Sequence, residues 1–165
     1  MTRNSITGRL QVSIPNDAES YYSIAVIVWT TSNQFRQAER EKLHVNPDDS
    51  LPVRDRNVCA HVRDRNANSV QEGIDSLITA LQLRPDYDDA MAYMNLLYRE
   101  RADIQCDDPA ARAGDLKTAD EWAAKAMQVR QAKAEKAAKL KATKLRQAQA
   151  VKKDENSEPA NPPQQ

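Results

Sequence analysis

The pattern of apolar positions predicts a chain of long helices, and the first apolar segment covers residues 21–29. Asn16 and Asp17 precede this segment, and both residue types commonly cap helices. Residues 34–43 are charged and helix-prone, so they either extend this helix or follow it as a short one. The sequence therefore predicts a first helix that begins near Asp17.

A turn-forming stretch, residues 46–52, separates this helix from a second run of apolar residues at helical spacing. The run predicts one long helix over about residues 54–83, with its weakest point at residues 66–69. Its apolar members are Val58, Val62, Val70, Ile74, Leu77, Ile78 and Leu81. A further helix is predicted from Asp86 to about residue 105, because acidic side chains suit the positive end of the helix dipole.

The last predicted helix begins at Asp107-Asp108-Pro109, where aspartate suits the cap and proline the first turn. An Ala/Lys-rich stretch continues it to about residue 153. Residues 154–165 contain Asn, Ser, Pro and Gln with no apolar anchor, and we predict them to be disordered.

The charge of the chain is divided unevenly, although its formal net charge is zero. Residues 1–124 carry 14 basic and 20 acidic side chains, whereas residues 125–165 carry 10 basic and 4 acidic ones. An acidic folded part therefore carries a basic arm. Glycine is scarce, with three residues in the chain, and this composition favours helices over sheets.

Two groups of residues have the small and large side chains of a known helical repeat at matching spacings. They are Gly73, Leu77, Ala80 and Pro85, and then Met91, Met94, Asn95 and Tyr98. The spacing of the second group recurs at Tyr21, Ile24, Ala25 and Val28, and Ala119 and Ala126 occupy small-residue positions in the last helix. These positions resemble the W-x₂-L-G-x₂-Y … A-x₃-F … P pattern of tetratricopeptide repeats. The chain resembles the C-terminal part of uncharacterised bacterial proteins of that type.

This resemblance implies an all-α fold of antiparallel helical hairpins, of the tetratricopeptide or α-solenoid type. Two irregular hairpins would occupy residues 16–131, with an insert at about residues 34–68 that contributes a long inserted helix. Residues 1–15 would be the remnant of a preceding helix or an irregular lead-in. Residues 132–153 would form an extended, basic C-terminal helix.

The resemblance also implies a function, because repeats of this type bind other proteins and do no chemistry themselves. The first helix of each repeat lines an inner groove, which would take a peptide or helix of an unidentified partner. The residues expected to contact it are Tyr22, Val26, Trp29, Tyr93, Leu96 and Arg99. Charged side chains such as Glu19, Asp89 and Glu100 would form the rim. Alternatively, Val26 and Trp29 pack against the inserted helix and form no groove.

Two other functions stay open at this stage. A pair of repeats leaves an N-terminal face uncovered, bearing Tyr21, Ile24 and Val28, and self-association into a homodimer would bury it. The basic helix would attract nucleic acid or another polyanion without reading sequence, since it has no aromatic residue to stack on bases. Nucleic acid is therefore an unlikely partner on this interpretation.

Signs of catalysis or of a cofactor are missing from the sequence. It contains no glycine-rich phosphate loop, no Gly-x-Ser-x-Gly motif and no nucleophile with an evident base. Cys59 and His61 lie two apart on a predicted helix and so point away from each other, which argues against a zinc site. Cys59 and Cys106 suit a reduced compartment as thiols. With no apolar run of about 20 residues and no signal peptide recognised, we expect a cytoplasmic protein that spans no membrane.

Overall fold

The computed structural model describes residues 17–46, 49, 51 and 55–155, and the described residues form four helices and no strand. The helices are α1 (Ala18–Lys42), α2 (Arg56–Leu83), α3 (Asp88–Asp103) and α4 (Pro109–Glu155). The prediction for residues 1–15, and that for most of the tail, lies outside the described residues. Asp154 and Glu155 were predicted to belong to the disordered tail, but they complete the last turn of α4.

Aspartate residues begin three of the four helices, because their carboxylates satisfy backbone N–H groups that have no partner inside the helix. Asp17 accepts a hydrogen bond from the Ser20 N–H at 2.9 Å. Asp55 accepts from the Asn57 N–H at 2.8 Å, and Asp108 accepts from the Ala111 N–H at 2.8 Å. The start of α3 has no side-chain cap and carries acidic residues in its first turn instead.

Residues 34–42 and 56–68 of the insert predicted from the sequence lengthen α1 and α2. The point predicted to be weakest in α2 is continuous helix. Asn66 is buried there, and its amide donates a hydrogen bond to the Ser32 carbonyl of α1 at 3.0 Å. A polar residue at this point therefore joins two helices instead of ending one.

Pairs of contacting residues give the directions of the helices. Ser32 contacts Asn66, and a Cβ built on Gly73 would lie 3.0 Å from Val28 and 2.9 Å from Leu97. The residue numbers run in opposite senses along α1 and α2, so these helices are antiparallel. Other pairs show that α2 and α3, and α3 and α4, are also antiparallel, so α1 and α3 are parallel and side by side.

The main core lies where α1, α2 and α3 approach one another. Gly73 allows a close approach between these helices, because a larger side chain there would overlap the side chains of Val28 and Leu97. The buried apolar residues of this core are Ala18, Ala25, Val70, Ile74, Leu77, Ala80, Tyr87, Ala90, Met94 and Leu97. Apolar burial on this scale is the main force that holds three such helices together.

A second, smaller core lies at the other end of the α1–α2 pair. Its buried residues are Leu51, Cys59, Val62, Ile104 and Cys106, and Phe35 and Leu43 of the first helix and its end pack against them. This core is built largely from the residues that the sequence assigned to the insert. The lengthened helices are thus packed at both ends.

Helix α4 extends well past the rest of the molecule. Its 47 residues span about 70 Å at 1.5 Å per residue, and every described side chain from position 130 to position 152 is exposed. Arg130 and Lys133 still reach α3. The basic arm predicted from the charge pattern is therefore helical, and its last twenty or so residues are solvated.

Candidate partner-binding face

Large side chains line one surface shared by the parallel helices α1 and α3. Tyr22, Val26 and Trp29 are spaced by one helical turn on α1, and Tyr93 and Leu96 lie three apart on α3. All five side chains are half-buried. We call these five residues the aromatic face.

The rings of this face contact one another. Tyr93 lies edge-on to both neighbours, with ring centroids 5.3 Å from Tyr22 and 5.7 Å from Trp29. Tyr22 also packs at 5.1 Å against Tyr87, which is buried. Edge-to-face pairs at these separations attract each other beyond the area they bury. Trp29 packs against the main core, to which α2 contributes, as well as against Tyr93 of α3, so the alternative in which it packs on the inserted helix stays a prediction.

Arg99 was predicted to contact a partner, and it stands exposed beside the aromatic face. Its guanidinium donates to the Asp120 carboxylate of α4 at 2.5 Å and to the Asn95 side chain at 2.9 Å. An exposed pair of this kind contributes little to stability. Arg99 thus forms a charged edge of the face together with α4.

A buried ion network adjoins one end of the aromatic face. Arg36 donates from Nε to both Glu100 oxygens, at 2.9 and 3.0 Å, and from Nη1 to Asp103 at 2.6 Å. Arg40 donates to the same Asp103 oxygen at 3.0 Å. Glu100 was expected to point outward and line the rim, but its side chain is fully buried. Burial raises the pKa of Glu100, and Arg36 opposes that shift.

An exposed group of ion pairs lies at the opposite end, where α4 crosses the start of α3. Arg130 donates to Asp88 at 2.7 Å and to Asp89 at 2.8 Å, and Lys133 donates to Asp88 at 2.7 Å. The sequence indicated a basic arm but not that Arg130 and Lys133 bind this acidic helix start. The hydrogen bonds from Lys133 and Arg130 lower the pKa of Asp88 to about 2.

The lowered pKa predicts how acid changes the stability of this end. The folded-state pKa of Asp88 lies below its ordinary value of 3.8. The stabilisation is therefore complete above about pH 4 and is lost as the pH falls toward 2. Because the two cations are about half exposed, we expect only about 1 kcal/mol. Unfolding midpoints of the wild type and Asp88→Asn, measured from pH 2 to pH 5, should converge at the acid end.

Asp86→Asn is the control for this prediction. Its carboxylate is 70% exposed and lies 3.8 Å from Lys133, so its removal should change the midpoints less at every pH. If Asp88→Asn and the wild type differed equally at pH 2 and pH 5, the ion pairs at this end would not be the source of the difference.

The positions predicted to pack between repeats have different degrees of burial. Buried are Ala25, Gly73, Leu77, Ala80, Met91, Met94, Ala119 and Ala126. Half-buried are Tyr21, Ile24, Val28, Asn95 and Tyr98, whereas Pro85 is exposed. Tyr21 and Val28 pack against the main core beside α2. The face predicted to be uncovered is therefore partly covered within the chain.

The expectation of two free thiols is wrong, because Cys59 and Cys106 form a disulfide bond. The chain brings them together across 47 positions, at the N-terminal end of α2 and the turn between α3 and α4. His61 contacts Phe35, with ring centroids 5.4 Å apart. Within the described parts of the chain, no three His, Cys, Asp or Glu residues are grouped so as to hold a metal ion.

None of the helices described here is both long enough and apolar enough to cross a lipid bilayer. We also compared the chain with protein-family models, curated proteins and solved structures, and none of them matches it. What is established is that the described residues form four helices and no strand. The relationship to tetratricopeptide repeats stays a prediction from the sequence.

Proposed function

We propose that this chain is a protein-interaction module of tetratricopeptide type, which binds a short amphipathic segment of a partner protein on the aromatic face. The observation that carries this proposal is the cluster of half-buried rings shared by α1 and α3, with Leu96 beside them. The proposal assigns the chain no catalysis and no cofactor.

The partial burial of these rings favours binding over a purely structural role. Tyrosine and tryptophan are enriched at protein interfaces because they offer large contact areas with few rotatable bonds. Tyr22 and Trp29 are each held by Tyr93 on one side. A partner would therefore find rings already positioned, which lowers the entropy cost of binding.

The surroundings of the face indicate the chemistry of the partner. Arg99 and Asp120 place both signs of charge on one edge, and Glu19 lies one turn before Tyr22 on α1. We therefore expect a segment with large apolar anchors at helical spacing and a few charges of either sign, as in helix-in-groove recognition.

A selection of displayed peptides against the whole chain tests this proposal. Peptides that bind the wild type should lose at least about tenfold in affinity to Trp29→Ala, because aromatic anchors dominate interface energies. Leu96→Ala should weaken binding to a smaller degree. Ile27→Ala is the matched control, since this aliphatic residue lies on α1 and is 63% exposed away from the main core. Circular dichroism of each variant should show wild-type helix content.

The proposal would be wrong if the selected peptides bound Trp29→Ala and Leu96→Ala as tightly as the wild type. A loss of helix content in both variants would instead make them core residues. Sedimentation equilibrium on the same samples addresses the homodimer. Tyr21 and Val28 are half-buried against the main core, as the rings of the aromatic face are, so the measured mass decides this alternative, and a monomer would remove it.

The basic part of α4 supports a second function only weakly. Its exposed cations beyond Lys133 would attract a polyanion in a salt-dependent manner. Its exposed apolar residues Leu140, Leu145 and Val151 do not share one wide face, and the helix has no base-stacking ring beyond Trp122. Nucleic acid therefore stays an alternative to the proposed function.

A further inference from the structure

The disulfide bond is the one covalent cross-link among the described residues, and it involves both cysteines of the 165-residue sequence. Cys59 is fully buried and Cys106 is 8% exposed. Leu51, Val62 and Ile104 are the other buried members of the second core. The bond therefore lies inside the core that the insert builds.

The surroundings of the two sulfurs are those of a structural bond. Sγ of Cys59 lies 3.5 Å from the Asp103 carbonyl oxygen, and both sulfurs belong to a buried apolar cluster with Leu51, Val62 and Ile104. Such surroundings disfavour a thiolate, whereas reactive cysteines are exposed and lie near positive charge. A redox-sensing or catalytic role would need the opposite environment.

The position of the disulfide bond makes it a constraint on how the helices are placed relative to one another. It ties the start of α2 to the turn between α3 and α4, two segments that are 47 residues apart. Asp103, next to that turn, holds both Arg36 and Arg40 of α1. The cross-link thus fixes the end of the molecule where the second core and the buried ion network meet.

We propose that the Cys59–Cys106 bond is acquired during folding in an oxidising compartment, and that the protein works there and not in a reducing cytoplasm. The oxidant is a thiol–disulfide oxidoreductase with a disulfide of its own. One thiolate of the chain attacks that disulfide and forms a mixed disulfide, and the second thiolate displaces the enzyme. The chain loses two protons and two electrons as its S–S bond forms, and the enzyme's disulfide is reduced to a dithiol.

Burial sets the order of these events. Both sulfurs are enclosed in the folded protein, so the exchange takes place before the second core closes. Once closed, the core protects the bond from reductants, which is typical of the structural disulfides of secreted and periplasmic proteins.

The first test counts thiols in the full chain produced in two places. A cleavable leader directs one sample to a bacterial periplasm, and the other is made in the cytoplasm. Under denaturing conditions without reductant, N-ethylmaleimide should add no label to the periplasmic sample and two labels to the cytoplasmic one. After reduction it should add two labels to both. Two labels on the periplasmic sample before reduction would overturn the proposal.

The second test measures what the bond does for folding. Closing a loop of this length should raise the folding equilibrium constant by about a thousandfold, as read from urea unfolding of the oxidised protein and of protein first reduced in urea with a phosphine. The double variant Cys59→Ala, Cys106→Ala should match the reduced wild type, and the reductant should not affect it. If the reduced wild type were as stable as the oxidised form within about threefold, the protein would need no oxidising compartment and the inference would fail.

Discussion

Replacing Glu100 with alanine should lower the free energy of unfolding by about 3 kcal/mol, because it breaks a buried ion pair and leaves one partner behind. The Glu100 side chain is fully buried and accepts two hydrogen bonds from Arg36. Asp103 and Asn33 would still hold that guanidinium, which keeps the expected cost at the lower end for such pairs. Urea unfolding of the purified variant measures it.

Glu121→Ala is the matched control, since it removes the same side chain from a helix at an exposed site. Glu121 is 64% exposed and lies 3.9 Å from Lys117, so its loss should cost at most about 0.5 kcal/mol. Equal costs for the two variants would mean that water reaches Glu100 in the folded protein and that the buried network does not exist.

Because the pKa of Glu100 is raised, the effect of ionising Glu100 on stability differs from the effect of removing its side chain. Burial raises the pKa more than Arg36 lowers it, so the ionised form is less stable in the folded protein than in water. The contribution of Glu100 to stability therefore rises as the pH falls through its folded pKa. Removing one partner is costly even so, because the other charge is then left poorly compensated.

Local signals were enough to predict most of the helices. The long helix predicted over residues 54–83 is observed as Arg56–Leu83, and the helix predicted to continue to about residue 153 ends at Glu155. Caps and helical periodicity depend on residues within a few positions of each other, and the sequence displays them directly. The sequence does not decide whether residues 34–43 extend α1 or form a short helix of their own.

Interactions between distant residues escaped the sequence analysis. The bond between Cys59 and Cys106 joins positions 47 apart, and Arg36 meets Glu100 across 64 positions. Helical spacing predicted that Glu100 lies beside Arg99 on the charged rim. A rotation of α3 by a few tens of degrees is enough to move a side chain from such a rim into the contact between two helices. Its burial depends on which side chain the neighbouring helix presents there, and no local pattern carries that information.

One signal in the sequence could have indicated the ion network. Arg36 and Arg40 follow Trp29 on the same side of α1, and Glu100 and Asp103 follow Leu96 on α3. On both helices, charged residues thus follow the apolar residues on the same side. They are basic on α1 and acidic on α3. Parallel neighbouring helices bring these charged ends together. A search for opposite charges at corresponding positions of the two helices would therefore have predicted the contact.

A comparison of two adjacent residues in α2 tests how this helix is rotated about its axis relative to the main core. Leu77→Ala should lower the free energy of unfolding by about 3 kcal/mol, because it leaves a cavity in the main core. Leu77 is fully buried there, together with Ile74 and Leu97. Ile78→Ala removes a side chain of similar volume that is 41% exposed, so it should cost under about 1 kcal/mol, part of which the higher helix propensity of alanine offsets.

Positions 77 and 78 lie about 100° apart around the helix. The ratio of the two losses in free energy of unfolding therefore shows which side of α2 faces the core. Gly73 and Asn66 depend on the same rotation, since Gly73 must meet Val28 and Leu97, and Asn66 must reach the Ser32 carbonyl. A cost at Ile78 equal to or above that at Leu77 would mean a rotated α2. In that case neither the main core nor the close approach at Gly73 could be as described.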